Sequence, residues 1–395
     1  MCLVVMLLFG GITPSCKQET NVEIRQPLWV LSLPENNIYQ SLKGTDGLVY
    51  CLTGNDSFRQ AIIYAVDGQT GVVKWKKEVE SKSLSQTNFT FEANDGKVYY
   101  RTQTGILQAL DAQTGIETWQ VEKAQLVLHI SDGKVHLYDD KGEYVILNAA
   151  NGEVIERTGI IGSFPSQLVI VNNRRYLFNS KQLLIIDAST GKRLWAHQPQ
   201  GNFPLGFSVA DGVLYIVEPD YAALKELTKP YRSDILTAYN AETGQKLWQI
   251  YHSGDSPIVE NGVAFLGGDD KDGSGTVSRL NPKTGEMLGV IKSEKLKFDS
   301  KFALTVSAEN VYAKNFQDHF SRPDLVKFLY GDEKATSLDY QLVSFNTSSG
   351  MIKWETQFLW GEPMTKPFIA NGCVYFGIRS ANLVPATKLF AYSIN

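Results

Sequence analysis

Few residues in this chain have the types and spacing that would do covalent chemistry. The five histidines, His129, His136, His197, His252 and His319, are scattered. None stands in the HExxH spacing that places two imidazoles on one zinc ion. His129 and His136 flank one turn and read as half-buried packing residues. No GxSxG elbow and no Walker loop is present, so neither an activated serine nor a phosphate-cradling backbone is encoded. Asp270, Asp272 and Ser274, followed by Gly275, imitate the start of a calcium loop, in which alternate oxygen-bearing side chains surround a hard cation. The loop's twelfth position is Asn281 rather than a bidentate glutamate, so a solvated turn is the better reading. No catalytic residue and no cofactor site is expected from these patterns.

The clearest chemistry belongs to Cys16. Residues 2–12, CLVVMLLFGGI, form an apolar run too short to cross a bilayer and of the length of a signal-peptide core. Thr13-Pro14-Ser15-Cys16 follows, then polar KQETNVEIRQ. This resembles a bacterial lipobox. It implies a signal peptide over 1–15, lipid on Cys16, a tether over 16–26 and a place in the bacterial cell envelope. Ser15 is small, as cleavage needs; Thr13 departs from the usual Leu, Val or Ile, and no Lys or Arg precedes the run. A plain secretory signal and a short cytoplasmic tail are the alternatives. Each buried lipid methylene adds roughly 0.8 kcal/mol of membrane affinity, so several chains hold a soluble domain firmly. No other run reaches the roughly eighteen apolar residues a span needs, so the anchor is the only membrane contact expected.

The elements behind these residues are those of an ordinary globular protein. Apolar content is 43%, charged content 20% and net charge −4, which argues against a general nucleic-acid binder needing a basic stripe. Two patterns repeat. One is a hairpin with Asp or Asn, Gly four residues on and, in the strong copies, Trp at plus eight. It reads AVDGQTGVVKW (65–75), ALDAQTGIETW (109–119), IIDASTGKRLW (185–195), AYNAETGQKLW (238–248) and SFNTSSGMIKW (344–354), with weaker copies at 146–156 and 279–289. The Asp or Asn caps the turn, the Gly takes a left-handed conformation, and the Trp offers a large face for packing sheet on sheet. Glu156 and Gly289 replace the Trp in the weak copies, which predicts looser packing there.

The second pattern is a turn and strand such as TDGLVYCL (45–52), and it occurs eight times against seven complete hairpins. KLFAYSIN (388–395) looks like the first half of an eighth hairpin, and QPLWVLSL (27–34), with Trp29, like its second half. The two ends therefore share one blade and close a ring, which removes exposed sheet edges. The fold class predicted for 27–395 is all-β, an eight-bladed propeller, and a closed ring of this kind is expected to be monomeric. Cys51 and Cys373 fall in strands of neighbouring blades as two buried thiols, with a bridge between them left open.

The D-x-x-T-G-x-x-x-W hairpin after an A-D-G-x-V-Y strand resembles the repeat of PQQ-like (quinoprotein-type) propellers, over essentially 27–395. The quinoprotein dehydrogenases of that group share an adjacent Cys-Cys pair over their cofactor. This sequence has none, so PQQ binding and dehydrogenase activity are not expected. With its anchor and blade number the chain is similar to the propeller lipoprotein of the outer-membrane β-barrel assembly machinery. That resemblance implies a scaffold for envelope proteins. A glycan- or small-molecule-binding accessory lipoprotein and an enzyme of unrecognised type stay open as alternatives.

The two short turns of each blade share one face, so length variation marks the other. There the chain inserts 219–234, 315–340 and 378–387. Asp220 can cap a short helix carrying Leu224 and Leu227 and ended by Pro230; Pro323 can open one carrying Leu325, Phe328 and Leu329. Aromatic and Arg residues favour interfaces, which selects Tyr221, Tyr231, Arg232, Phe316, His319, Phe320, Arg322, Phe328, Tyr330 and Arg379 as the contact region. For the anchor, Cys16→Ser is expected to move the protein into the soluble fraction. Variant protein that stays on membranes through a salt wash would refute lipidation at Cys16.

Overall fold

The computed structural model describes residues 22–394 except 36, 39–41, 55–59, 81–90, 103, 159–166, 179–181, 200–205, 221–233, 253–255, 270–274, 293–303, 308, 318–338, 358, 361, 364 and 380–386. The described residues form eight antiparallel sheets and no helix. Each sheet holds one blade of four antiparallel strands, here A to D, sequential in blades 1 to 7, and three of the sheets carry short additional strands. In blade 1 these are Lys43–Thr45, Leu48–Gly54, Gln60–Asp67 and Val73–Glu80. The A strands of successive blades touch one another and line the centre of the ring. B strands are sandwiched by blades on both sides, so Leu48–Gly54 is buried throughout and reads as a nearly continuous apolar run.

Two turns recur through the blades, the second of them absent from blade 8, where the C and D strands come from opposite ends of the chain. The A–B turn has two residues with positive φ, Asp46 (51°) and Gly47 (81°) in blade 1. That is the mirror-image turn whose twist matches a hairpin, and Asp-Gly tolerates it best. In the C–D turn, Asp67 Oδ1 accepts from the backbone N–H of Gln69 (3.1 Å) and Thr70 (2.9 Å) and from the Thr70 hydroxyl (2.9 Å). The Gly71 N–H then donates to Asp67 O at 2.9 Å, which accounts for the Asp-to-Gly spacing of four.

The Trp joins each blade to the next. In five of the six repeat Trp residues the indole N–H donates to the carbonyl of the residue after the next blade's hairpin Asp or Asn; the buried Trp354 Nε1, facing the cut hairpin of blade 8, makes no such bond. The pairs are Trp29 to Gly68 (3.0 Å), Trp75 to Ala112 (2.8 Å), Trp119 to Ala149 (3.0 Å), Trp195 to Ala241 (3.3 Å) and Trp248 to Pro282 (2.8 Å). Tyr50, Tyr99, Tyr215 and Tyr375 of the B strands donate to four of the same carbonyls. The hairpin Gly is required twice over. Gly71 has φ 73°, and a Cβ there would lie 2.7 Å from the Trp29 ring; Gly115 stands the same way against Trp75.

The joints without this Trp–Gly pair each hold an arginine. Between blades 3 and 4, Arg175 Nη2 donates to Ala188 O at 2.9 Å, the carbonyl an indole would reach. Its guanidinium lies over Tyr144 (5.0 Å) and near Glu156 Oε2 (3.8 Å). Between blades 6 and 7, Arg279 donates to Thr347 O (2.8 Å) and Ser348 O. A Cβ at Gly289 would overlap that guanidinium, so the missing Trp makes its room.

The ring closes as the repeat count predicts. Trp29–Leu33 pairs antiparallel with Thr387–Ser393 as the D strand of blade 8, from Trp29 opposite Ala391 to Leu33 opposite Thr387. A second clasp has no counterpart in the sequence reading. Glu23–Arg25, inside the stretch read as tether, runs parallel to the D strand of blade 7, with Glu23 opposite Trp354 and Arg25 opposite Thr356. Arg25 lies 4.7 Å over the buried Trp354 ring and donates to Ser393 O at 2.9 Å. Cys51 and Cys373 are both buried and both free thiols, and burial pushes Cys51 up to about 12.

Deleting 386–395 removes the third strand of blade 8 and is expected to abolish cooperative unfolding; an unchanged melt would sink the closure. Trp119→Ala is expected to cost about 3–5 kcal/mol, as large buried aromatics do. Arg279→Ala strands a carbonyl at about 1.5–3 kcal/mol and should speed amide exchange in blades 6 and 7 while leaving blades 1 and 2 unchanged.

Candidate interaction face

The A–B and C–D turns share one face, and there side chains bridge neighbouring blades. Gln69 Nε2 donates across the blade boundary to Asn371 O (2.7 Å), Gln113 Nε2 to Asp46 O (3.0 Å), and Arg174 pairs with Glu242 (3.0 Å). The hairpin carboxylates are held low by their own turns. Asp187 falls to about 2, first through the Ser189 hydroxyl and then through Thr190. A cavity of about 340 Å³ lies on this face across blades 4 to 6, lined among others by Asn172, Arg174, Asp211, Glu242 and Lys283. His136, read from the sequence as half-buried, is fully buried. Its Nδ1 lies 2.7 Å from the Tyr144 hydroxyl, and burial, then His129, Arg175 and Lys134, push it down to about 3. It is therefore neutral near pH 7 and serves packing.

The opposite face carries the B–C and D–A connections, and its geometry begins with stems. The insertions are shorter than the sequence reading places them, because their ends are strand. In blade 5 the B and C strands run to Pro219 opposite Asp234; in blade 7 to Gln317 opposite Asp339; in blade 8 to Arg379 opposite Thr387. The blade 7 strands, Asn310–Gln317 and Asp339–Asn346, outlast the five-residue strands Lys97–Arg101 and Leu107–Asp111 of blade 2. The connection from blade 7 to blade 8 braces these stems. Leu359–Trp360 pairs with Asp339–Tyr340, and Glu362–Pro363 pairs with Ile378–Arg379. At blade 1, Asn37–Ile38 pairs with Thr53–Gly54.

Phe316 and Arg379 are thus brought to one face in adjacent blades, on stems that pair with Leu359–Trp360 and Glu362–Pro363. Tyr221, Tyr231, Arg232, His319, Phe320, Arg322, Phe328 and Tyr330 lie outside the described residues. So do both short helices, the Asp270, Asp272 and Ser274 turn, and Cys16. The bracing segment 359–363 escaped the sequence reading. Its signal was a connection between D and A strands much longer than Glu122–Lys123 between blades 2 and 3. On the same face His197 Nε2 meets the buried Glu218 Oε1 at 3.2 Å, and Arg157 binds Asp139 (2.8 Å) and Glu143 (3.2 Å).

Comparison with known proteins agrees with this architecture. The family model described as outer membrane protein assembly factor BamB matches residues 26–234 and 186–326. The chain belongs to that family. Among solved structures, BamB from Moraxella catarrhalis is 19% identical over 74% of this chain and 87% of its own, with a TM-score of 0.49. The computationally designed Ika8 protein is 14% identical over 93% of this chain and 100% of its own, with a TM-score of 0.62. The quinohemoprotein alcohol dehydrogenase ADHIIG from Pseudomonas putida HK5 is 12% identical over 93% and 76%, with a TM-score of 0.53. At such identities the last two likenesses concern fold alone. No curated protein matches the sequence.

Proposed function

We propose that the chain is a non-catalytic scaffold of the bacterial cell envelope, anchored through Cys16, that holds protein partners on its loop face. The observation that carries this reading is the match of 26–234 and 186–326 to an outer membrane assembly factor family. The two faces support it. On the turn face, Gln69, Gln113 and Arg174 are engaged across blade joints. On the loop face, long insertions stand on extended, braced stems, and binding surfaces favour loops held by a rigid frame. A propeller hosts many functions, so the site rather than the fold must carry the argument.

A second reading has one observation in its favour. The cavity at Arg174, Asp211, Glu242 and Lys283 offers both charge signs and amides in one polar recess, which suits a glycan or small polar molecule. It lies on the turn face, so the two readings separate by position.

The test places Ala or reversed charge at Tyr231, Arg232, Phe320 and Arg322 and scores envelope proteins that co-purify from native membranes. Loss of those proteins at an unchanged melting temperature is expected. Intact co-purification, together with loss on changing Arg174 and Lys283, would move function to the turn face.

A further inference from the structure

The outer rim of the ring is unevenly apolar. In each D strand the residues on either side of the Trp position point outward. In blade 1 these are Lys74 and Lys76, both exposed, and in blade 2 Thr118 and Gln120. Blades 3, 4 and 5 have Ile155, Leu194 and Leu247 on one side, but Arg157, Ala196 and Gln249 on the other. Only blades 6 and 8 are branched aliphatic at both places. Leu288 and Val290 flank Gly289, at 47% and 50% exposure, beside exposed Met287. Leu28 and Val30 flank Trp29, at 52% and 47%.

Blade 7 lies between them, and it is where the N-terminal chain docks. Glu23–Arg25 covers the D strand of blade 7, so Glu355 beneath is buried, and Ile24 faces out at 46% exposure. Glu23, the first residue of that strand, lies in the middle of this apolar arc. From Cys16 to Glu23 there are seven Cα steps, which reach no more than about 25 Å at 3.3–3.6 Å per residue. A lipid on Cys16 would hold this arc near the bilayer surface and keep the polar arc of blades 1 and 2 away from it. Apolar side chains gain by entering the interface, roughly in proportion to the area removed from water.

We infer that the rim of blades 6 to 8, through Ile24, Leu28, Val30, Leu288 and Val290, rests on the lipid surface and stands the ring on its edge. The inference rests on the anchor at Cys16. An edge-on ring leaves both faces open to the aqueous side, so loop-face partners and the bilayer do not compete for one surface.

The test uses the full lipidated chain in vesicles of phosphatidylethanolamine and phosphatidylglycerol. Val30→Cys and Leu288→Cys report the apolar arc; Lys76→Cys and Gln120→Cys report the polar one. Cys51 and Cys373 are buried and stay unlabelled. An environment-sensitive fluorophore at 30 and 288 is expected to shift to the blue and be quenched by brominated lipid, with neither change at 76 and 120. Flotation reads the anchor separately. Protein that floats with all four labels equally wet overturns the rim contact and leaves the anchor standing. Protein that does not float overturns the anchor and the inference with it.

Discussion

One carbonyl per blade governs this molecule. It belongs to the residue after the hairpin Asp or Asn, such as Ala112. Its own N–H is already bound to the A–B turn of its blade, Ala112 N to Gly96 O at 3.0 Å. A buried carbonyl without a donor is costly, so the neighbouring blade must supply one. The indole of Trp75 does so and brings a large apolar face to the same place, and Tyr50 adds a second donor. The Gly that follows in the hairpin must then lack a Cβ, because the indole lies on it. Turn, Trp and Gly are one constraint seen at three positions, and that is why they recur together.

The constraint has a direction: each blade reaches into the next. A linear array would leave its last Trp without a carbonyl and its first hairpin without an indole. In the ring, Trp29 from the N-terminal segment meets Gly68 of blade 1 through the C-terminal blade. The exceptions obey the same demand. Arg279 brings a donor across the joint where the indole is lost, and Arg175 serves Ala188 O from within blade 4 while its guanidinium meets Tyr144 and Glu156 of blade 3. At blade 8 the hairpin itself is cut, and Arg25 stacks on Trp354 in place of a turn Gly. Arginine suits all three places because its planar fork donates and stacks at once.

These physical terms explain what the sequence reveals. The fold was legible because the joint is local: Asp, Gly and Trp sit within nine residues, and eight B strands against seven hairpins expose the cut blade. The arginines were harder. Glu156 and Gly289 announce that a donor is lost, but Arg175 comes from the facing blade and Arg279 lies ten residues back, beyond any repeat spacing. The strand Glu23–Arg25 has no pattern at all, because three residues pairing parallel to a finished sheet depend on Trp354 below them. Of the candidate contact region, Phe316 and Arg379 sit on stems that residue spacing placed only approximately, since it could not tell where strand ends and insertion begins.

The closing region is also where extra backbone pairing gathers. Blade 8 lacks a covalent link between its C and D strands, so nothing local holds Trp29–Leu33 in register. Glu23–Arg25 lies on one side of it, and Leu359–Trp360, Glu362–Pro363 and Asn37–Ile38 add ladder bonds in blades 7, 8 and 1. Some of these bonds brace the rim and others the stems of the loop face. The same reinforcement that compensates for a cut blade therefore stiffens the base of the two insertions nearest the chain's N-terminal docking strand. Rigidity at such a base lowers the entropy lost when a loop binds. A cut at blade 8 thus places the best-supported part of the loop face next to the strand through which the chain enters the ring.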